Sequence, residues 1–244
     1  MFHFSGVDRA EFVELVATNG GSVMVNAYTT KLRRSQKLWR ALLAWPELVA
    51  TLDSGAYQGN TDIDGYCGLL DEVQERFLWY ANLDVMGNSL ETQRNYCEMV
   101  RRGYRPLWIH QPGGDLGLLH EMVQENGLVG LGGVVPILKR ELAAAIRYLL
   151  EMGDAVGTAG GKAHVFGLTS ARVLVAIAGR EWFESADGQT WLVGYKAQEL
   201  LSRDGRRWKS DDLGLALTRA ECAANNIRVM NGWVNGAVRQ VALF

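Results

Sequence analysis

Leu48-Val49-Ala50-Thr51-Leu52-Asp53-Ser54-Gly55-Ala56-Tyr57-Gln58 sets a short apolar run directly before an acid, small residues and an aromatic. A run of this length and composition reads as a buried strand. Asp53 therefore stands where a parallel strand hands over to its loop. Small residues let a flat ligand approach the backbone, and Tyr57 follows within stacking reach. A simple Asp-Ser turn that caps the next element is the competing reading of the same hexapeptide.

The pattern repeats outward in both directions. Ser22–Ala27 reads as a strand and Lys31–Ala44 as an amphipathic helix; Asp64–Arg76 is helical, and Phe77–Leu83 is a strand ending at Asp84. Ser89 caps a helix running through Arg102, with Glu91 in its first turn. Then follow strand Arg105–His110, helix Leu116–Glu125, strand Leu128–Leu131, helix Lys139–Glu151, strand Ala163–Phe166, helix Ser170–Ile177 and strand Trp182–Ser185. Sustained strand–helix alternation predicts a parallel sheet in an α/β fold. Polar or glycine-rich residues fall at the strand ends: Asp53, Asp84, His110-Gln111, Gly132-Gly133, Gly167 and Asp187. A (β/α)8 TIM-like barrel gathers such residues around one mouth. A doubly wound open sheet is the rival, but no G-x-G-x-x-G follows the first strand and no P-loop occurs. The barrel is the favoured architecture.

With 244 residues, 48% hydrophobic and 21% charged, the chain has the composition of an ordinary globular protein. Four prolines and no linker or repeat predict one continuous domain over residues 1–244, with no zinc subdomain. No apolar run approaches the roughly 18 residues of a membrane span, and the N-terminus lacks the pattern of a signal peptide. Cys67, Cys97 and Cys222 lie far apart without a CxxC, which argues for a reducing compartment and against a zinc site or disulfide framework. The net charge of −2 is not that of a dedicated nucleic-acid coat. Basic residues nonetheless cluster at Lys31, Arg33, Arg34, Lys37 and Arg40, at Arg101, Arg102 and Arg105, and at Arg203, Arg206, Arg207 and Lys209. Each cluster is either a solvated face or a grip on phosphates.

Several of these segments resemble, in order, the motifs of tRNA-guanine transglycosylases. Asp53-Ser-Gly-Ala-Tyr-Gln is similar to the family's D-S-G-G-[FY]-Q, Leu83-Asp84-Val85 to its base-reading Asp, and His110-Gln111-Pro112-Gly113-Gly114 to its V-Q-G-G. Gly130-Leu131-Gly132-Gly133 resembles [AL]-[IL]-G-G, Val165–Thr169 resembles G-[VI]-G-T, and Trp182–Asp187 lies where the nucleophile is found. The family's CxCxxC…His zinc site and the archaeal RNA-binding extension are missing, which makes the chain most similar to the phage branch that inserts 7-deazaguanines into DNA.

The resemblance implies a base exchange through a covalent sugar–enzyme intermediate, needing two carboxyl groups. Asp53 would be the acid/base, with a pKa nearer neutrality than a free Asp. Asp187 is the preferred nucleophile and Glu184 the alternative. Asp84, Tyr57, Gln111, Gly132 and Gly133 would bind the base, and Arg203, Arg206, Arg207 and Lys209 the nucleic acid. DNA is the implied partner, tRNA the less favoured one, a 7-deazaguanine base the co-substrate, and no cofactor or metal is implied. A non-catalytic nucleic-acid-binding barrel subunit is the remaining alternative. His110 reads as structural.

Overall fold

The computed structural model describes residues 1–28 and 36–235. Its chain alternates strand and helix: β1 (Phe2–Phe4), α1 (Ala10–Thr18), β2 (Ser22–Asn26), α2 (Gln36–Ala44), β3 (Ala50–Asp53), α3 (Ile63–Val73), α4 (Ser89–Arg101), β4 (Ile109–His110), α5 (Leu116–Asn126) and β5 (Leu128–Leu131). There follow α6 (Val134–Arg140), α7 (Leu142–Thr158), β6 (Lys162–Val165), α8 (Ala171–Ile177), β7 (Phe183–Gly188), α9 (Leu192–Ala197), the hairpin β8 (Glu199–Leu201) and β9 (Arg207–Lys209), and α10 (Arg219–Val234).

Strands β1 to β7 form one sheet ordered β3-β2-β1-β7-β6-β5-β4, and every pairing in it is parallel. Two isolated parallel bridges, Leu52 to Tyr80 and Ala81 to Leu107, join the two edges of that sheet through residues 80–81. The sheet therefore curls on itself into a (β/α)8 barrel, as the alternation predicts, with residues 80–81 in the fourth strand position.

That fourth strand is shorter than the Phe77–Leu83 expected, and the reason is local. Leu107 N–H donates to Tyr80 C=O and Asn82 N–H to Leu107 C=O, as in a parallel ladder. The next donor, Ile109 N–H, goes to the Asn82 side-chain oxygen at 3.0 Å instead of to backbone, while Asn82 Nδ2 donates to Thr92 C=O at 3.2 Å. Asn82 is fully buried. Asn82→Ala strands a buried donor and acceptor and is expected to cost about 1–3 kcal/mol, read from urea unfolding.

Two further expectations shift. Strand β1 was not foreseen, because Phe2-His3-Phe4 is too short to show a period. The helix expected over Lys31–Ala44 is described only from Gln36; residues 31–35, with Lys31, Arg33 and Arg34, lie outside the described residues.

Alternation along the strands divides two cores. Phe4 faces outward, edge-on to Trp191 of the helical layer. His3, between two such outward residues, points inward, where its ring lies 5.7 Å from Trp79 and 5.6 Å from His164 across the barrel. Phe166 packs edge-on against His164 at 4.5 Å. Gly130 makes room for it, since a Cβ there would meet the Phe166 ring at 2.6 Å. Burial holds both imidazoles below their ordinary pKa, so His3 and His164 are neutral. This aromatic layer floors the mouth above it.

Candidate active site

Asp53 ends β3 and points into the barrel mouth beside Asn26, the last residue of β2, which is its partner in the strand register. Asn26 Nδ2 donates to Asp53 Oδ2 at 2.6 Å and to Gln58 Oε1 at 2.9 Å. Burial pushes the Asp53 pKa up to about 7; the nearby carboxyls of Asp84 and Asp187 add to the shift, and the Gly55 N–H and Asn26 bonds oppose it. Both neighbouring carboxyls thus lie within electrostatic reach of Asp53. At neutral pH Asp53 is close to half protonated.

Asp84 is buried, three residues beyond the bridge at Ala81. Gln111 Nε2 donates to its Oδ2 at 2.7 Å and Ser54 Oγ to its Oδ1 at 3.4 Å. Burial raises its pKa to about 6, against the pull of those donors. Gly132 lets Gln111 lie where it does: a Cβ at 132 would meet Gln111 Nε2 at 2.9 Å, and one at Gly133 would meet Pro112 Cγ and Cδ within 2.5 Å. The glycine pair thus serves close packing around Gln111, and Gly132 C=O accepts from Tyr148 Oη at 3.2 Å.

Asp187 lies inside β7, which runs to Gly188, past Ser185 where the sequence ends that strand. Gly167 N–H donates to its Oδ1 at 2.7 Å, and His164 Nε2 lies 3.5 Å from the same oxygen. His164 Nδ1 is 2.8 Å from the Ser185 hydroxyl. If Ser185 donates to Nδ1, the neutral ring carries its proton on Nε2, directed at Asp187. Oδ1 is thereby committed to the protein. No sequence signal linked His164 or Ser185 to the site, because each pair meets only through the register of β6 and β7.

The two carboxyl candidates on β7 part company. Glu184 is exposed near the start of the strand, where its backbone carbonyl accepts from the Met1 ammonium at 2.6 Å, at the end of the barrel opposite the mouth. Glu184 is therefore not brought to the site.

Tyr57 is 51% exposed, on a short 3-10 turn over Ala56–Gln58. Lys139 Nζ donates to its hydroxyl at 3.1 Å and sits 5.9 Å from its ring centre. Tyr57 is thus a rim residue and not core. Gly55 takes a left-handed φ of +84°, and a Cβ there would meet Tyr28 Cβ at 2.4 Å, so the smallness read as ligand access serves the turn itself. His110 is buried and held neutral, its pKa pushed down to about 4 by burial, in keeping with a structural role. Of the basic clusters, Arg101 and Arg102 are engaged by Glu98 and Asp64 on a solvated face. Arg203, Arg206, Arg207 and Lys209 are exposed on the β8–β9 hairpin.

Mouth carboxyls on a closed parallel barrel define the class: a (β/α)8 barrel with its candidate chemistry at the C-terminal strand ends. No family model matches the chain and no curated protein matches it in sequence. Among solved structures it is similar to a protein of Aquifex aeolicus VF5 (TM-score 0.55, 10% identity, 96% of this chain and 91% of that one). It is also similar to a tryptophan synthase alpha-subunit from Pyrococcus furiosus (TM-score 0.51, 14% identity, 97% of each chain). A third is tryptophan synthase from M. tuberculosis (TM-score 0.50, 12% identity, 96% of this chain and 91% of that one). At such identities the likeness is one of fold.

These findings overturn the expected membership of the tRNA-guanine transglycosylase superfamily. With it fall the guanine/7-deazaguanine exchange on DNA, the tRNA variant, the pentosyltransferase class and the non-catalytic nucleic-acid-binding alternative. The physical reason lies in the motifs themselves. Acids, glycines and small residues recur at the strand ends of any parallel barrel, where chains must turn, pack closely and cap helices. Their order follows the order of the strands, so it does not by itself establish kinship.

Proposed function

We propose that the chain is a general acid–base enzyme of the lyase type, cleaving or forming a bond in a small polar substrate at the barrel mouth. Asp53 transfers the proton. Its pKa of about 7, produced by burial beside two other carboxyls, is the observation that carries the reading, because an acid titrating at the working pH can both give and take a proton. Asp84, held by Gln111 and Ser54, accepts from substrate N–H groups with its remaining lone pairs. Asp187, its Oδ1 fixed by Gly167 N–H, offers its other oxygen to positive charge that develops as the bond breaks. Tyr57 covers the bound substrate from the rim. The fold likeness to tryptophan synthase chains is consistent with a barrel that supports an enzyme site, but it does not choose the substrate.

Three unpaired cysteines support a reducing cytoplasmic setting. Among the described residues no helix is long and apolar enough to cross a membrane.

The test needs no substrate. Carbon-13 NMR of the Asp carboxyls, assigned with Asp53→Asn, should show Asp53 titrating near pH 7. Asn26→Ala should move that midpoint upward by about one unit, since Asn26 donates to the carboxylate. A midpoint near 4 in the unaltered protein would remove the acid–base role.

A further inference from the structure

Beside the mouth lies a second cavity, of about 470 Å³, lined by the loops that follow β6 and β7 and by the β8–β9 turn. We propose that it binds the phosphate group of a phosphomonoester, the part of the substrate that does not react. The link to the substrate rests on the acid–base reading above; the phosphate site stands without it.

Charge is the first argument. Arg172, Arg206 and Arg207 line the cavity against a single carboxylate, Asp204. Asp204 is already engaged: Arg206 Nε lies 3.2 Å from its Oδ2, while Arg206 N–H donates to Oδ1 at 3.2 Å. Arg207 has only Glu199, at 4.0 Å. Arg172 has no ion-pair partner among the described residues. Guanidinium forks left with unspent donors are the groups that grip a terminal phosphate, which presents three oxygens and a double charge.

Shape is the second. Ser170 adds a hydroxyl that makes no hydrogen bond among the described residues, and Leu201 and Trp233 form an apolar wall beneath the exposed arginines. The wall is fixed, because Trp233 Nε1 donates to Arg203 C=O at 2.8 Å. The turn is pressed against the start of α8: Gly205 has φ +81°, and a Cβ there would meet Ala171 Cβ at 2.6 Å. The volume exceeds that of a phosphate alone and leaves room for the stem that carries it.

Connection to the carboxyls is the third. Leu168 N–H donates to Asp187 C=O at 2.7 Å, and Thr190 Oγ1 to Thr169 C=O at 2.8 Å. Both loops of the cavity are thus bonded to, or continuous with, the strand that carries Asp187. A ligand anchored there sits on loops that lead directly to the strand end of Asp187.

The experiment is calorimetric titration of the full chain with inorganic phosphate, methyl phosphate and dimethyl phosphate at low salt. Inorganic and methyl phosphate should bind, and dimethyl phosphate, a model of a polynucleotide linkage, should bind at least about tenfold more weakly. Arg172→Ala with Arg206→Ala should weaken phosphate binding by at least about tenfold. Asp53→Asn should bind phosphate as the unaltered protein does, so failure of the acid–base reading would leave this result intact. Absence of phosphate binding, or unchanged binding in the folded double variant, would overturn the site. Arg172→Glu, with the same fold and unimpaired binding, would overturn it equally. Dimethyl phosphate binding as tightly as methyl phosphate would overturn the monoester assignment in favour of a nucleic-acid backbone.

Discussion

Asp53→Asn is expected to lower turnover by about 10²- to 10⁴-fold and, at the same time, to make the protein more stable above pH 7. Asn keeps the size and can still meet Asn26, but it neither gives nor takes a proton. The stability gain follows from the direction of the shift. An unfolded Asp releases its proton near pH 3.8, whereas Asp53 in the folded chain holds it to about pH 7. Below about pH 4 both states are protonated and Asp53 imposes no penalty. Between about pH 4 and 7 the folded state binds more protons than the unfolded one, so its stability falls as pH rises. Above 7 the whole penalty is present. Asn has no such titration, so the variant's advantage should grow across that window to about 2 kcal/mol, reduced from the full shift because Asp53 retains some contact with solvent. Urea unfolding at pH 4 and pH 8 measures it. Parallel pH dependence in the two proteins would contradict a carboxyl held protonated by its surroundings. Turnover is to be followed by NMR in deuterated water, with small phosphomonoesters that carry N–H groups as the substrate panel.

The largest structural effect should come from Trp191→Ala, with an expected cost of about 3–5 kcal/mol in urea unfolding. Trp191 is fully buried, edge-on to Phe4 at 6.2 Å and Phe12 at 5.4 Å, and its Nε1 donates to Ser5 C=O at 2.9 Å. One side chain therefore binds the first strand and first helix to the last loop of the barrel, joining segments more than 180 residues apart. Truncation opens a cavity and leaves a carbonyl without its donor. Trp191→Phe, which keeps most of the ring volume, should cost markedly less. An equal cost for both variants would mean that the hydrogen bond, and not the packing, holds the seam.

Much of this arrangement was legible in the sequence, and what was not has identifiable causes. The strands read at Leu128–Leu131 and Leu48–Leu52 announce themselves because apolar residues stop abruptly at glycines or an acid. Asp53, Asp84 and Asp187 were found at strand ends by the same reasoning, and the structure brings the latter two within electrostatic reach of Asp53. Phe2-His3-Phe4 carries too few residues for any period to show. The partnership of His164 with Ser185 and Asp187 depends on which residues two strands set side by side, which neither strand encodes alone. Glu184 and Asp187 differ by three positions in sequence, yet one faces solvent at the base of the barrel and the other the mouth. The resemblance to a transglycosylase misled for a related reason: it matched residues that the architecture itself requires.

The seam at residues 80–82 makes the three carboxyls mechanically unequal. Asp187 is borne by a strand laddered on both sides, and Asp53 by β3, which is bonded to β2 and, through Ala50 and Leu52, to residues 78–81; Asp84 follows that same segment, whose ladder toward residue 107 stops at Asn82, where a side chain takes the next bond. The barrel is thus a ring with a latch, and local opening should begin where the ladder is thinnest. Two acids form a fixed anvil, and the third moves with the latch.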